Sequence, residues 1–450
     1  MVGGAVRDRL LGRDSKDADF LVPGVDIAGL REALAPHGRT EELVVAGRAV
    51  GVRFYPRERG LTRAGIELAP PRREVSTGPG RHDFEIVVDA DAPVEVDLAR
   101  RDFTVNAMAR RLEDGELVDP YGGRDDLERR VLRTVTESSF AEDPLRLVRG
   151  LRFVSQLDLD PDESTLAQMR EEAAGVALVS GERIGGGLAA DGMGELSKLL
   201  LGSRPAKALR IARDTGVLVA LLPEFEAAIG FDQESRYHSM TVDEHTFAVV
   251  QAAADAGFDL AVRLAALFHD LGKPHVAWRG TDGRLHYYAK AGYAAKSHEQ
   301  VSAELAERAL ARLRYPTDLR RRVLRIVRSH MLDVGRAEPV RARRLLARYG
   351  EALLTEILDH KEADLRGKGD PPPADDLAKL DGLRRTVERE RRSPHRIRDL
   401  AVTGNDLIGI GFEPGPKLGR TLEQLLDAVL RTPELNTREQ LLARAEELRR

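Results

Sequence analysis

The chain has 450 residues, 42% of them hydrophobic, with a formal net charge of −4 and no cysteine. That length predicts about three domains. The missing cysteines exclude disulfides, a thiol nucleophile and thiolate-held zinc or iron–sulfur sites, so any metal rests on His, Asp and Glu.

No apolar run approaches the roughly twenty residues of a membrane span, and Gly3, Gly4, Arg7 and Asp8 occupy the place of a signal peptide's apolar stretch. A cytoplasmic protein with no membrane partner is expected. The slightly acidic balance argues against a general polycationic coat and leaves room for local basic faces.

Residues 1–125 mix short β-like runs, Ala18 to Val22, Ala49 to Phe54 and Phe84 to Val88, with Gly, Pro and Arg breaks. Ser76 to Pro93 reads as a long loop around a short strand. From about 126 onward the pattern is helical. Leu145 to Phe153 and Leu196 to Leu201 open helices, and Thr246 to Ala254, Leu260 to Leu271 and Val301 to Leu313 follow at helix period. Gly181 to Gly194 interrupts the pattern, and Asp370 to Asp375, with three prolines, reads as a linker. A small α/β head on a long helical body is the expected architecture.

Asp17 and Asp19 precede Phe20-Leu21-Val22, and on a strand the two carboxylates share a face. Paired carboxylates hold Mg²⁺ together with substrate phosphates. With 74 acidic residues, roughly a dozen acid-x-acid pairs arise by chance, so the pair alone means little. Its context is sharper. Gly3-Gly4-Ala5-Val6-Arg7-Asp8 lies upstream, and a double glycine before a helix start brings backbone N–H groups to phosphate oxygens. Arg7 adds a guanidinium one turn in.

With these residues the head resembles the nucleotidyltransferase head of the class II CCA-adding enzyme and bacterial poly(A) polymerase family. Further motifs follow in the family's order: Arg100 to Ala107, Asp119 to Gly123 with Asp126-Leu127, Glu142 to Arg146, and Ser180 to Ile184. The resemblance spans about residues 1–200. It implies that Asp17 and Asp19 are catalytic and hold Mg²⁺, and that Gly4, Arg7 and Arg101 hold a triphosphate. Glu67, in Gly65-Ile66-Glu67-Leu68, stands where related polymerases place a third acid, and it is left outside the expected set. The family also has a short apolar strand before the double glycine, where this chain has only Met1 and Val2. Either the chain starts inside a longer product or part of a sheet edge is missing.

Asp143-Pro144 suits a helix N-cap followed by the first helical residue. Arg146, Arg149 and Arg152 recur every third residue along one drifting face. The plain reading is a solvated basic stripe. The sharper one is a protein template: cytosine and adenine both present an amino donor beside a ring-nitrogen acceptor. A carboxylate accepts from the first and Arg donates to the second. The resemblance implies this role for Asp143 and Arg146, with phosphate or base contacts for Arg149 and Arg152.

Eight of the eleven histidines lie between 238 and 360. The ordered set His245, His269-Asp270 and Asp364, with His298 and His330, resembles the HD phosphohydrolase superfamily over about 235–370. It implies a second, HD-type site with a divalent transition metal. That site is either a live hydrolase or an RNA-binding scaffold with vestigial ligands. Arg320, Arg321, Arg322, Arg325, Arg328, Arg341, Arg343 and Arg344 crowd one region and either follow RNA phosphates or form a solvated face. Val402 to Leu407 and Asn436-Thr437-Arg438 resemble the C-terminal domain of CCA-adding enzymes.

The expected fold is α+β: a small polymerase-β-like head, a mixed sheet with helices, followed by an elongated helical neck, HD module and tail. The expected segments are 1–125 head, 126–230 neck with the base-selecting motif, 231–370 HD-type domain and 371–450 RNA-binding tail. The implied function is addition of C and A from CTP and ATP to tRNA 3′ ends, with Mg²⁺ as cofactor. The alternatives are a poly(A) polymerase, a CC-only or A-only enzyme, a metal-dependent phosphohydrolase whose head only binds nucleotide, and a non-catalytic RNA-binding protein.

Overall fold

The computed structural model describes residues 1–13, 19–45, 47–58, 65–76, 84–186, 192–234, 240–369 and 371–449. The chain forms two compact units. The first is Met1–Glu226 with Ala309–Pro316, and the second is Ala227–Arg308 with Thr317–Arg450.

The first unit opens with a helix, Gly4–Leu10. Strands β1 (Asp19–Leu21), β2 (Gly38–Val45), β3 (Arg48–Pro56) and β4 (Ile66–Ala69) form a sheet in the order β1-β4-β3-β2. β1 pairs with β4 in parallel, and the other pairs are antiparallel. Val50, Val52 and Phe54 of β3 alternate into the core, which is why this run folds as a strand with one buried face. The sheet is mixed, as the sequence predicts. Ser76 to Pro93 is only partly loop: β5 (Arg72–Ser76) and β6 (Phe84–Val88) pair antiparallel, and residues 77–83 lie outside the described set.

Met1 and Val2 are bonded into this head. Val2 N–H donates to the Asp19 carbonyl at 2.9 Å, and Arg110 N–H donates to the Met1 carbonyl at 2.8 Å. The longest helix near the head, Leu145–Leu157, buries Leu147, Val148, Leu151 and Val154 along one stripe. It starts one residue later than the Asp-Pro signature predicts, and the Asp143 carboxylate still accepts from Leu145 N–H at 3.1 Å. Phe103 packs edge-on against Phe153 with centroids 5.7 Å apart.

Helices Val242–Asp255, Leu260–Phe268 and His298–Arg312 fall on the runs expected from Thr246, Leu260 and Val301, and the second unit adds helices Thr317–Ser329 and Glu351–Arg366. Leu271 lies beyond the helix end at Phe268. Leu354, Leu358 and Leu365 share a hydrophobic cluster with Leu380 and Leu383 of the next helix, Ala374–Glu390. The Pro371–Pro373 run, read from sequence as a linker, is therefore a turn inside one core.

The arginine-rich stretch also differs from a free phosphate track. Arg343 is buried, donating to Glu390 at 2.6 Å and to the Leu430 carbonyl at 2.7 Å. Arg320 pairs with Glu307 at 2.9 Å and Arg344 with Asp427 at 3.0 Å. Arg322 pairs with Glu356 and Asp259. In the tail, the Asn436 side chain ties Ala401 N–H to the Asp399 carbonyl, and Asp406 caps the turn at Thr403. These residues act as braces.

Candidate active site and a histidine–aspartate cluster

A cavity of about 610 Å³ in the first unit gathers most of the residues expected to act there: Gly4, Arg7, Asp19, Arg101, Asp143, Arg146, Arg149 and Arg152. Asp17 lies outside the described residues. Asp19 heads β1, and its register partner across the parallel pair is Glu67, which lines the same cavity. The acid left aside in the sequence reading is thus the strand neighbour of Asp19. Its carboxylate is held by Arg53. Carboxylate oxygens are the donors that Mg²⁺ accepts, so this corner suits that ion.

Gly3 caps the first helix at φ +70°, and a Cβ there would sit 2.3 Å from Arg101 Nη1. Only glycine lets the Arg101 guanidinium lie against this turn. Arg101 also pairs with buried Asp97 at 3.2 Å. Burial lowers the pKa of Arg101 and brings that of Arg152 down to about 10.

A chain of charge-assisted bonds crosses the cavity floor. Arg7 Nη1 donates to Asn106 Oδ1 at 2.6 Å, and Asn106 Nδ2 donates to Asp102 Oδ1 at 2.9 Å. Arg149 donates twice to Asp102 Oδ2, at 2.9 and 2.6 Å, and approaches Glu195 at 3.6 Å. Arg152 pairs with Glu195 at 3.0 Å. Arg7 and Arg152 also lie over the Phe153 ring, at 5.2 and 4.4 Å, a favourable site for cations. Burial alone would raise the Asp102 pKa. The charge of Arg149 and the bonds from Asn106 and Arg149 hold it far below the usual carboxylate range. Asp102, Asn106 and Glu195 had no assigned role in the sequence reading, although the first two stand inside a quoted motif.

Asp143 and Arg146 are both at the cavity, and their side chains take different partners. Asp143 binds Arg183 at 3.0 Å. Arg146 donates to the Arg100 carbonyl at 2.8 Å and to Ser139 Oγ at 3.0 Å. Arg183, quoted only as part of a motif, is thus the direct partner of the expected base-reading acid.

The second unit holds the other expected site. His245, His269 and Asp364 bring one ligand atom each within 4.8 Å of one another, and Asp270, His298 and His330 do the same. All six are buried. Asp270 stands between the groups. Its Oδ2 lies 3.3 Å from His269 Nε2, and its Oδ1 lies 3.5 Å from His298 Nε2 and 3.6 Å from His330 Nε2. Gly272 permits this convergence, because a Cβ there would meet the His298 carbonyl at 2.3 Å.

The tautomers follow from simple chemistry. Nδ1 of His245, His269, His298 and His330 each faces a backbone carbonyl, at 3.2, 2.9, 3.3 and 2.7 Å. A carbonyl only accepts, so each Nδ1 carries a hydrogen and each Nε2 is left turned toward the cluster. His298 Nε2 and His330 Nε2 then face each other at 3.2 Å, an arrangement that a shared cation stabilises. Burial drops the His298 pKa to about 4 despite nearby Asp270, which keeps the ring neutral and able to bind metal. The donor set therefore fits a divalent ion. Lys273 and Lys361, which pair with Asp270 at 2.6 Å and Asp364 at 3.1 Å, were not expected. A cavity of about 760 Å³ opens onto these ligands.

Among the described residues no helix is long and apolar enough to cross a membrane. The chain matches the family described as "Poly A polymerase head domain" over residues 1–133, "Probable RNA and SrmB- binding site of polymerase A" over 158–229 and "HD domain" over 242–366. A Janthinobacterium sp. (strain Marseille) protein named "Multifunctional CCA protein" is 36% identical over 379 residues, covering 82% of each chain. A protein of the same name from Alkalilimnicola ehrlichii is 36% identical over 385 residues, covering 82% of this chain and 84% of that one. The fold is that of the Bacillus stearothermophilus CCA-adding enzyme solved with CTP, at TM-score 0.66 and 23% identity over 99% of this chain and 92% of that one. The Thermotoga maritima CCA-adding enzyme, solved with tRNA, superposes at TM-score 0.60 with 19% identity, over 100% of this chain and 90% of that one.

Proposed function

The chain belongs to the multifunctional CCA protein family, and we propose that its head adds C and A from CTP and ATP to tRNA 3′ ends. The observation that carries this reading is the single cavity joining Asp19, Glu67, Arg7, Arg101, Asp143 and Arg146. It combines an acidic corner, a cationic floor and a base-reading acid.

The RNA 3′-hydroxyl attacks the α-phosphorus of the nucleotide. A new O3′–P bond forms, the bond to the β-phosphate oxygen breaks, and pyrophosphate leaves. Asp17 and Asp19 are the proposed catalytic acids, with Glu67 the strand neighbour of Asp19. Mg²⁺ held there supplies activation of the hydroxyl and charge neutralisation at the phosphates. Gly4, Arg7 and Arg101 hold the triphosphate, and Arg149 and Arg152 extend that cationic floor. Asp143 accepts from the exocyclic amino group that cytosine and adenine share, and Arg146 donates to the adjacent ring nitrogen. Arg183 fixes the Asp143 carboxylate.

The test uses tRNA lacking its 3′ end, offered each NTP singly and all together, with the products sequenced. Addition that stops at CCA supports the proposal. Long A tails point to a poly(A) polymerase, and arrest after CC, or A alone, to a partial enzyme.

A second reading applies to the body, because four histidines aim Nε2 at a shared centre. We propose that His245, His269, Asp364, Asp270, His298 and His330 hold one or two divalent transition-metal ions, and that this site hydrolyses phosphate esters. When bound, the metal supplies an activated water and polarises the phosphoryl oxygens. The chain's own contribution is to fix ligand tautomers and to line the cavity with Lys273 and Lys361, which attract an anion. Metal content measured on His269→Ala against the parent tests the assignment, and equal content overturns it.

A further inference from the structure

The first unit includes a short piece of chain from far along the sequence, Ala309–Pro316. It is the end of helix His298–Arg312 and the turn after it. Tyr315 N–H donates to the Leu310 carbonyl at 3.0 Å and Arg314 N–H to the Ala311 carbonyl at 3.1 Å, so the helix closes in a tight cap. Arg314 stands at φ +59°, a left-handed position that favours glycine. The cap is anchored by Arg312, which donates to the Leu221 carbonyl at 3.1 Å and to Glu224 at 2.9 Å.

This cap seats against the turn that carries Arg183. Glu182–Gly186 is a single π-helical turn, a form that recurs at functional sites. Glycines let the two backbones touch. A Cβ on Gly181 would run into the Arg312 carbonyl, one on Gly186 into the Arg314 carbonyl, and one on Gly185 into the Tyr315 ring. Gly186 N–H donates to the Leu313 carbonyl at 3.0 Å. Ser197 Oγ lies 3.1 Å from the Gly185 carbonyl and 3.0 Å from the Tyr315 hydroxyl. A carbonyl only accepts, so the Ser197 hydrogen goes to Gly185 and the Tyr315 hydroxyl donates to Ser197. Tyr315 is buried at 4% exposure. On the far side of the turn, the Arg183 fork reaches both oxygens of Asp143, at 3.3 and 3.0 Å, in the head cavity that both residues line.

Resting on the reading of Asp143 as the base-reading acid, we propose that Tyr315 is a positioning residue for nucleotide selection. Its ring and the Leu313 carbonyl hold the π-turn, the turn aims Arg183, and Arg183 fixes the carboxylate that accepts from the amino group of C or A. Tyr315 touches no substrate and acts through Arg183 alone. A carboxylate held by two bonds presents its remaining lone pairs in one direction. One free to rotate also accepts from the ring N–H of uracil or guanine, and the discrimination against those bases shrinks.

The test measures kcat and KM on the full-length protein, for CTP against UTP on tRNA lacking its 3′ end and for ATP against GTP on tRNA ending in CC. In Tyr315→Ala the kcat/KM preference for CTP and ATP falls roughly threefold to tenfold, chiefly through a higher KM for the two correct nucleotides. Tyr315→Phe keeps the ring against Gly185 and leaves the Ser197–Gly185 bond in place, so its preference stays at the parent value. Arg183→Ala loses at least as much preference as Tyr315→Ala, and combining the two changes it no further, because one effect passes through the other. A core residue that only supported folding would lower the rate with all four nucleotides alike. An unchanged preference in Tyr315→Ala, or additive losses in the double variant, therefore overturns the proposal. If Tyr315→Ala does not fold, Tyr315→Leu, which keeps apolar bulk without the ring, carries the same comparison. A parent that shows no preference for CTP and ATP overturns the reading of Asp143 itself, an outcome distinct from failure of the Tyr315 contact.

Discussion

Replacing Asp102 by Asn tests the network under the head cavity, because it keeps the shape and removes the charge. Asp102 Oδ1 accepts from Phe103 N–H and from Asn106, both at 2.9 Å, and an Asn oxygen keeps both bonds. Oδ2 takes two bonds from Arg149, at 2.9 and 2.6 Å. In the variant an amino group faces that guanidinium, donor to donor, and the remaining acid, Glu195, is 3.6 Å away. Removing one partner of a fully buried pair costs about 3–5 kcal/mol. The Arg149 side chain keeps 32% of its exposure, so water relieves part of this and a cost of about 2–3 kcal/mol is expected. The urea midpoint of the first unit then falls by about 1 M. Far-UV dichroism registers both units, whereas emission registers only Trp278 in the second, so the shift appears in dichroism alone. The pH dependence has a definite sign. A native pKa held below the ordinary 3.8 gives stability that is complete above the ordinary value and lost as pH falls through the native one. The gap between parent and variant is therefore constant through neutral pH and closes in acid. An unchanged midpoint at neutral pH refutes the argument that Asp102 neutralises Arg149.

Three further outcomes follow from the same geometry. Asp143→Ala leaves nothing to accept from the amino group of C or A, and the kcat/KM preference over UTP and GTP falls at least about tenfold; an unchanged preference refutes the template. Gly3→Ala forces a side chain into φ +70° and against Arg101; with about 1–2 kcal/mol of left-handed strain and a displaced guanidinium, KM for both CTP and ATP rises by roughly tenfold or more. His269→Ala removes an imidazole whose Nδ1 is tied to the Ala266 carbonyl; metal content at the cluster falls while CTP incorporation by the head stays at the parent rate, which elemental analysis and a nucleotide-incorporation assay measure side by side.

How much of this was legible in the sequence depended on whether a residue's role is set by local spacing or by distant packing. The short β-like runs Ala49 to Phe54 and Phe84 to Val88 fall within strands Arg48–Pro56 and Phe84–Val88, and the helices of the body follow from their 3.6-residue period. The histidine–aspartate set was legible through the order of its motif, which carries the resemblance to the HD superfamily, and the structure brings those residues together. The Pro371–Pro373 run was misread because proline signals a break but not whether the flanking helices pack together, and Leu365 and Leu380 do. Asp102 was passed over because its partner Arg149 is 47 residues away. The pairing of Asp143 with Arg183 spans 40 residues. The motif that carries Asp143 and Arg146 gave no sign of this ion pair. The register of Glu67 with Asp19 depends on a parallel pair that no local pattern announces.

The absence of cysteine acquires a physical meaning once both sites are in view. Without thiolates, metal choice in this chain is left to the balance between carboxylate and imidazole donors. The described part of the head corner, Asp19 and Glu67, offers oxygen alone, which suits a hard ion that keeps its waters and shares them with phosphates. The body offers four imidazoles whose Nδ1 atoms face backbone carbonyls, with Asp270 reaching both groups. Imidazole binds later first-row ions more strongly than it binds Mg²⁺, so on the proposed reading of the body as a metal site its donors would select a different ion from that of the head. The two chemistries can therefore coexist in one chain through donor type, without a protein wall having to keep the ions apart.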